Sequence, residues 1–247
     1  MINFDLSDPK NRIIVALDVD SLKKAKNAIE LLAPYVGTFK VGLELLTAEG
    51  APGVVGLVHV LEGEVFFDGK FNDIPNTIAG AVKAVAKMGV KMFNIHASAG
   101  VEAMMSAVAN KGDSLVLAVT VLTSLEENNA NLIFGGPSKA RVLQFARDAK
   151  LAGCDGIICS PQELELLGKQ KELTGLLKIT PGVRPSWAAV GDQKRVMTPG
   201  EAIKAGADML VIGRPILQPP AEIGDPVKAA IMIAEEIEEA LNGLTKS

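Results

Sequence analysis

A parallel, eight-stranded α/β barrel, (β/α)8, is the fold predicted by three observations. Eight short apolar runs alternate with helical patterns along 247 residues, and eight β–α units in about 250 residues is the size of such a barrel. The composition is 48% hydrophobic but only 4% aromatic, so the core is built from Val, Ile, Leu and Ala, as suits strands buried on both faces. The first run ends in LDVDS with no G-x-G-x-x-G after it. That disfavours an open doubly wound sheet, which usually carries a Gly-rich dinucleotide loop there. Length alone allows one large domain or two small ones. No linker, low-complexity tract or 20–50-residue repeat divides the chain, so a single barrel domain over 1–247 is expected.

The strand candidates are RIIVALD (12–18), TFKVGL (38–43), EVFFDGK (64–70), MFNIHA (92–97), LVLAVTVL (115–122), GIICS (156–160), LLKIT (176–180) and MLVIG (209–213). Between them, apolar residues recur every three to four positions in 21–35, 74–88, 101–111, 138–153 and 225–243, the spacing of helices with one buried face. Ser21 is a candidate N-cap for the first, its hydroxyl accepting from a first-turn amide. The longest irregular pieces, 123–137 and 182–198, follow the fifth and seventh strands. In a barrel both lie on the C-terminal rim, where active sites are built.

Composition excludes several classes. A formal net charge of −4 argues against a nucleic-acid binder, which normally shows a basic patch. No uninterrupted apolar run approaches 18 residues, so no membrane span is expected. The start, MINFDLSDPKNR, lacks the basic and apolar regions of a signal peptide. Cys154 and Cys159 fit no common zinc spacing and read as buried free thiols on one strand. A soluble, cytoplasmic protein is expected. Two histidines give little support to a His-rich metal centre and leave carboxylate-held Mg2+ open. His59 reads as structural, and His96, ending the fourth strand, as a residue of the barrel mouth.

Charges gather where strands end. Asp18 closes the first run, Lys40 lies in the second, and Asp68 and Lys70 close the third in FFDGKFNDIPNT, with Asp73 just beyond. Side chains alternate across a strand, so Asp68 and Lys70 share a face with Phe66, and Phe67 and Gly69 share the other. One Asp–Lys pair at such spacing is ordinarily a solvated surface pair, and a lone lysine can snorkel to the rim. Four charges at consecutive strand ends point instead to a convergent array whose members keep one another ionised. At the other end of the chain, Arg184, Gln193, Gly213 and Arg214 follow the seventh and eighth strands. Barrels commonly grip phosphate with those two loops; the competing reading is a rim arginine paired with a carboxylate.

The ordered blocks VALDVD, FKVGLEL, FFDGKFNDIPNT, NIHASAG, VTVLTS, ITPGVRP, GDQKRVMTP and VIGRPI resemble the orotidine 5′-phosphate decarboxylase family along nearly the whole chain. The resemblance implies a (β/α)8 barrel that dimerises with active sites at the subunit interface. It implies conversion of orotidine 5′-monophosphate to UMP and carbon dioxide with no metal or organic cofactor. Carried over by position, Lys70 stabilises the carbanion at pyrimidine C6 and protonates it, and Asp68 lies near the substrate carboxylate. The resemblance further implies that Lys40 and Asp68 complete the charged array and touch the ribose, and that Asp18 hydrogen-bonds a ribose hydroxyl. Asp73 comes from the neighbouring subunit, with Ile74 and Thr77 nearby. Thr123 or Ser124 contacts the pyrimidine. Arg184, Gln193, Gly213 and Arg214 hold the phosphate, and 182–198 is the closing loop. Metal-dependent sugar-phosphate relatives share D-x-K-x-x-D but place a carboxylate on the second strand, where this chain has Lys40. Gly69 and Asn72 depart from the family's bulky apolar residue and histidine, and Gly69 is expected to loosen packing against the helices.

Overall fold

Each predicted apolar run forms a strand, and the strands pair in parallel in chain order until the last returns to the first and closes the barrel. The computed structural model describes residues 5–188 and 197–244. In chain order the first half contains β1 (Ile13–Ala16), α1 (Leu22–Leu32), β2 (Thr38–Val41), α2 (Leu43–Glu49), α3 (Ala51–Val60), β3 (Val65–Phe71), α4 (Pro75–Ala86) and β4 (Met92–His96). The second half continues with α5 (Val101–Asn110), β5 (Leu115–Val119), α6 (Glu127–Phe134), α7 (Ser138–Ala152), β6 (Gly156–Ile158) and α8 (Leu164–Gly168). It closes with β7 (Leu177–Pro181), α9 (Pro199–Lys204), β8 (Met209–Ile212), α10 (Arg214–Leu217) and α11 (Pro226–Leu244).

Strand alternation divides the core in two. Inward residues Ile14, Phe66, Met92, Leu117, Ile179 and Met209 form a plug inside the barrel. Their outward neighbours, including Val15, Phe67, Phe93, Ala118 and Leu210, pack against helix residues such as Ile29, Val82, Ala146 and Ile233. Fully burying a side chain such as Phe66 stabilises the fold by roughly 1.5–3 kcal/mol. The plug fills the barrel's interior, so the next inward positions toward the C-terminal ends form the floor of any cavity. Charges at the opposite end do structural work instead. Asp155 accepts from the Val116 N–H at 2.8 Å and from Lys111 at 2.6 Å, and Asp208 accepts from the Lys178 N–H at 2.7 Å.

Local details correct four expectations. Ser21 stands at the N-cap of α1, but its hydroxyl makes no cap hydrogen bond; it is drawn to Asp20, and Glu49 accepts from the Leu22 N–H at 3.1 Å. The cysteines flank β6 rather than share it; both are free and buried, and burial pushes each thiol up to about 12. The stretch 123–137 is not wholly irregular, since α6 lies within it. Gly69 does not loosen the packing: a Cβ there would lie 2.6 Å from Phe67 Cε1. The Phe67 ring occupies that space and stacks on Phe71 with centroids 5.9 Å apart.

Among the described residues, no single helix is long and apolar enough to cross a membrane. The fully buried Thr38 hydroxyl has no hydrogen-bond partner among them. A buried unpaired hydroxyl carries its desolvation cost without return, so Thr38→Val should stabilise the fold by about 1 kcal/mol. Urea unfolding that shows the variant less stable than the parent would mean that the hydroxyl is satisfied.

Candidate active site

Every strand contributes an inward residue to one cavity of about 280 Å3 at the C-terminal end of the barrel. Its floor is divided by polarity. Consecutive strands β2, β3 and β4 supply Lys40, Asp68 and Asn94, whereas β5 to β8 and β1 supply Val119, Ile158, Pro181, Val211 and Ala16. One arc therefore fixes charge, and the other presents an apolar surface. Thr123, Arg184, Gly213 and Arg214 line the wall.

Asp68 is the hub of the polar arc. It is only 6% exposed, yet it is fully engaged. Its Oδ1 accepts from Lys70 Nζ and from Asn94 Nδ2, both at 2.6 Å, and its Oδ2 lies 3.1 Å from Lys40 Nζ. Lys40 also donates to Asp18 Oδ1 at 3.1 Å, so the order of contact is Asp18, Lys40, Asp68, Lys70. Burial opposes ionisation of Asp68, but Lys40, Lys70 and Asn94 outweigh it and hold the carboxyl below the ordinary aspartate range. Burial likewise opposes charge on Lys40, and Asp68 and Asp18 outweigh that and hold its ammonium above the ordinary lysine range. Both groups are thus charged in the free protein.

The backbone around Lys70 is unusual. Lys70 has φ 48°, a left-handed conformation that costs a non-glycine residue about 1 kcal/mol or more. It sits in a bulge: β3 runs four residues from Phe67 to Phe71 while β4 runs two, from Phe93 to Ile95. Lys70 still lines the cavity on the face of Phe66 and Asp68, but within the bulge its N–H donates to Asn94 Oδ1 at 2.7 Å instead of to a strand carbonyl. A Cβ on Gly42 would lie 2.8 Å from Lys40 Nζ and would push that ammonium from its place between Asp18 and Asp68.

The loop regions frame the cavity. Val183 and Met197 form a parallel bridge, and the Arg184 N–H donates to the Met197 carbonyl at 3.0 Å. Thr198 and Glu201 then cap α9 reciprocally. The two flanks of 189–196 are therefore tied together beside the cavity wall. Gln193 lies outside the described residues.

A family model described as "Orotidine 5'-phosphate decarboxylase / HUMPS family" matches residues 11–233. This chain belongs to that family. The decarboxylase-family relatives include the orotidine 5′-phosphate decarboxylase of Geotalea daltonii, 47% identical over 93% of this chain and 97% of that protein. The decarboxylase of Moorella thermoacetica is 45% identical over 93% of each chain. Among solved structures, the orotidine 5′-phosphate decarboxylase of Lactobacillus acidophilus superposes with a TM-score of 0.77 at 32% identity, covering 92% of this chain and 99% of that one.

Of the residues singled out in this decarboxylase-family chain, Asp18, Lys40, Asp68, Lys70, Thr123, Arg184, Gly213 and Arg214 meet in the cavity. Ser124 does not line it, and neither does His96; burial first, then the nearby Lys70 ammonium, lowers the pKa of His96. Asp73, Ile74 and Thr77 also lie outside the cavity, exposed at the start of α4. Asn94 and Gly42 join the site without having been singled out by charge or motif. Asn94 carried a usable signal: it is a polar residue inside the apolar run MFNIHA, on the same strand face as His96.

The contacts predict that Lys40 and Asp68 are strongly coupled. Each is nearly buried, and removing one strands the other's charge. In a double-mutant cycle of Lys40→Met and Asp68→Asn, the two single losses of unfolding free energy should exceed the double loss by about 1–3 kcal/mol. Strict additivity would show that the two groups do not interact in solution.

Proposed function

We propose that this chain decarboxylates orotidine 5′-monophosphate to UMP and carbon dioxide in pyrimidine biosynthesis, and does so without metal or organic cofactor. The observation that carries the reading is the Lys70 ammonium, fixed 2.6 Å from the ionised Asp68 with Lys40 behind it, in a cavity whose wall holds Arg184 and Arg214. In the chemical step the bond from C6 to the carboxylate breaks and its electron pair stays on C6. That carbanion has no conjugated sink, so a cation must already be in place. Preorganised charge in a site shielded from water stabilises such a transition state without reorganisation. Lys70 then donates a proton to C6, giving UMP, and its neutral amine regains a proton from solvent.

The other residues divide the substrate between them. Asp68 faces the departing carboxylate. Asp18 and Lys40 take the ribose hydroxyls. Thr123 rather than Ser124 meets the pyrimidine, because Thr123 lines the cavity. Arg184, Arg214, the Gly213 backbone and Gln193 hold the phosphate. Forked guanidinium donors suit a phosphate dianion, and remote binding energy of this kind can hold C6 against Lys70. The metal-dependent alternative is disfavoured by Lys40, whose ammonium already lies 3.1 Å from both Asp18 and Asp68, where a cation held by those carboxylates would sit.

The working form in this reading is a homodimer in the cytoplasm. Asp73, Ile74 and Thr77 are exposed and away from their own cavity, as residues serving a neighbouring copy would be. A subunit-mixing assay tests chemistry and assembly together. Lys70→Ala and Asp73→Ala should each reduce turnover by at least about 10²–10³-fold, with UMP binding retained by Lys70→Ala. Equal parts of the two inactive proteins, unfolded and refolded together, should recover about one quarter of wild-type activity. Half the dimers are then mixed, with one intact site in two. An active Lys70→Ala variant would remove the assigned chemistry; no recovery on mixing would remove the shared site.

A further inference from the structure

We infer that Asn94 is a positioning residue for this reaction, one that sets both the charge and the direction of the Lys70–Asp68 pair through a single amide group. The inference rests on the decarboxylase reading and deepens it.

The amide of Asn94 is 1% exposed and belongs to the strand beside the bulge. Its two ends do different things. Nδ2 donates to Asp68 Oδ1 at 2.6 Å, and Oδ1 accepts from the Lys70 N–H at 2.7 Å. Only this orientation works, since a flipped amide would set oxygen against carboxylate and N–H against N–H. Because β3 gains residues against β4 between Phe67 and Phe71, the Lys70 N–H loses the carbonyl that a regular ladder would supply. Asn94 replaces that carbonyl and so anchors the left-handed backbone at Lys70.

The same side chain completes the carboxylate it faces. Asp68 Oδ1 is shared between the Lys70 ammonium and the Asn94 amide. A neutral donor there holds the oxygen in place without competing with the ammonium as a proton source. Asn94 thereby fixes the angle at which Lys70 leaves the backbone and the point toward which its ammonium is drawn. Neither role requires Asn94 to touch substrate.

Two variants separate this role from simple structural support. Asn94→Ala removes both bonds, and its kcat should fall about 10²-fold while the Kd for UMP, measured by calorimetry, changes less than about threefold. Asn94→Asp keeps the acceptor for the Lys70 N–H but sets a second carboxylate against Asp68. Its kcat should be depressed at neutral pH and rise toward the wild-type value as pH falls and the new carboxyl protonates to become a donor. The near-isosteric Asn94→Asp carries the test if Asn94→Ala does not fold. A kcat within twofold of wild type in the variants, or a pH profile of Asn94→Asp merely parallel to wild type, would overturn the role of Asn94. Absence of orotidine 5′-monophosphate turnover in the wild-type chain would instead overturn the decarboxylase reading, and this inference with it.

Discussion

A buried carboxylate, Asp68, and the cations it holds are the interaction on which the arrangement of the site depends. Desolvating one carboxylate this deeply is unfavourable unless every lone-pair direction finds a donor. Lys40, Lys70 and Asn94 supply them from three adjacent strands. Each donor brings a local requirement. Lys40 needs an open space beside Gly42, Lys70 needs a bulge with a left-handed residue, and Asn94 needs a buried seat opposite that bulge. Local irregularities of the barrel are thus concentrated at its charged arc.

The closed barrel makes this convergence affordable. Alternation along each strand commits one face to packing under the helices and the other to the interior. The apolar plug of Ile14, Phe66, Met92, Leu117, Ile179 and Met209 supports the inward positions above it. Lys40 and Asp68 rest on that plug rather than on solvent-exposed loops, which gives them fixed separations. The wall residues Thr123, Arg184, Gly213 and Arg214 come from the segments that follow the strands at the rim. Chemistry on rigid strands and substrate grip on loops is the usual division of labour in such barrels.

Much of this was legible in the residues themselves. Eight apolar runs at regular spacing led to eight strands in the right places, because burial on both faces leaves little room for polar interruption. Three of the polar interruptions, Lys40, Asp68 and Lys70, marked the site for the same reason. Less legible were effects that depend on neighbouring strands. The bulge at Lys70 is a mismatch between β3 and β4, and neither segment shows it alone. Asn94 was hidden because a buried asparagine reads as a flaw in an apolar run until its two partners are known. Ser21 illustrates the converse: a residue suited to capping lost its role to Glu49, supplied by α2. The placement of Asp73, Ile74 and Thr77 away from their own cavity could not be read from a motif that sets them beside Lys70 in sequence.

The most direct test is the ionisation of Asp68 in the free protein, followed by carboxyl 13C NMR with aspartate labelled and the resonance assigned through Asp68→Asn. Because the folded-state pKa is lowered, the carboxylate contributes stability that is complete above the ordinary aspartate value of 3.8 and is lost as pH falls through the lower folded value. Asp68 is expected to be more than half ionised at pH 3.8, where an ordinary aspartate is half protonated. A midpoint at or above that pH would mean that Lys40, Lys70 and Asn94 do not hold Asp68 charged, and would contradict a catalytic array assembled before substrate binds.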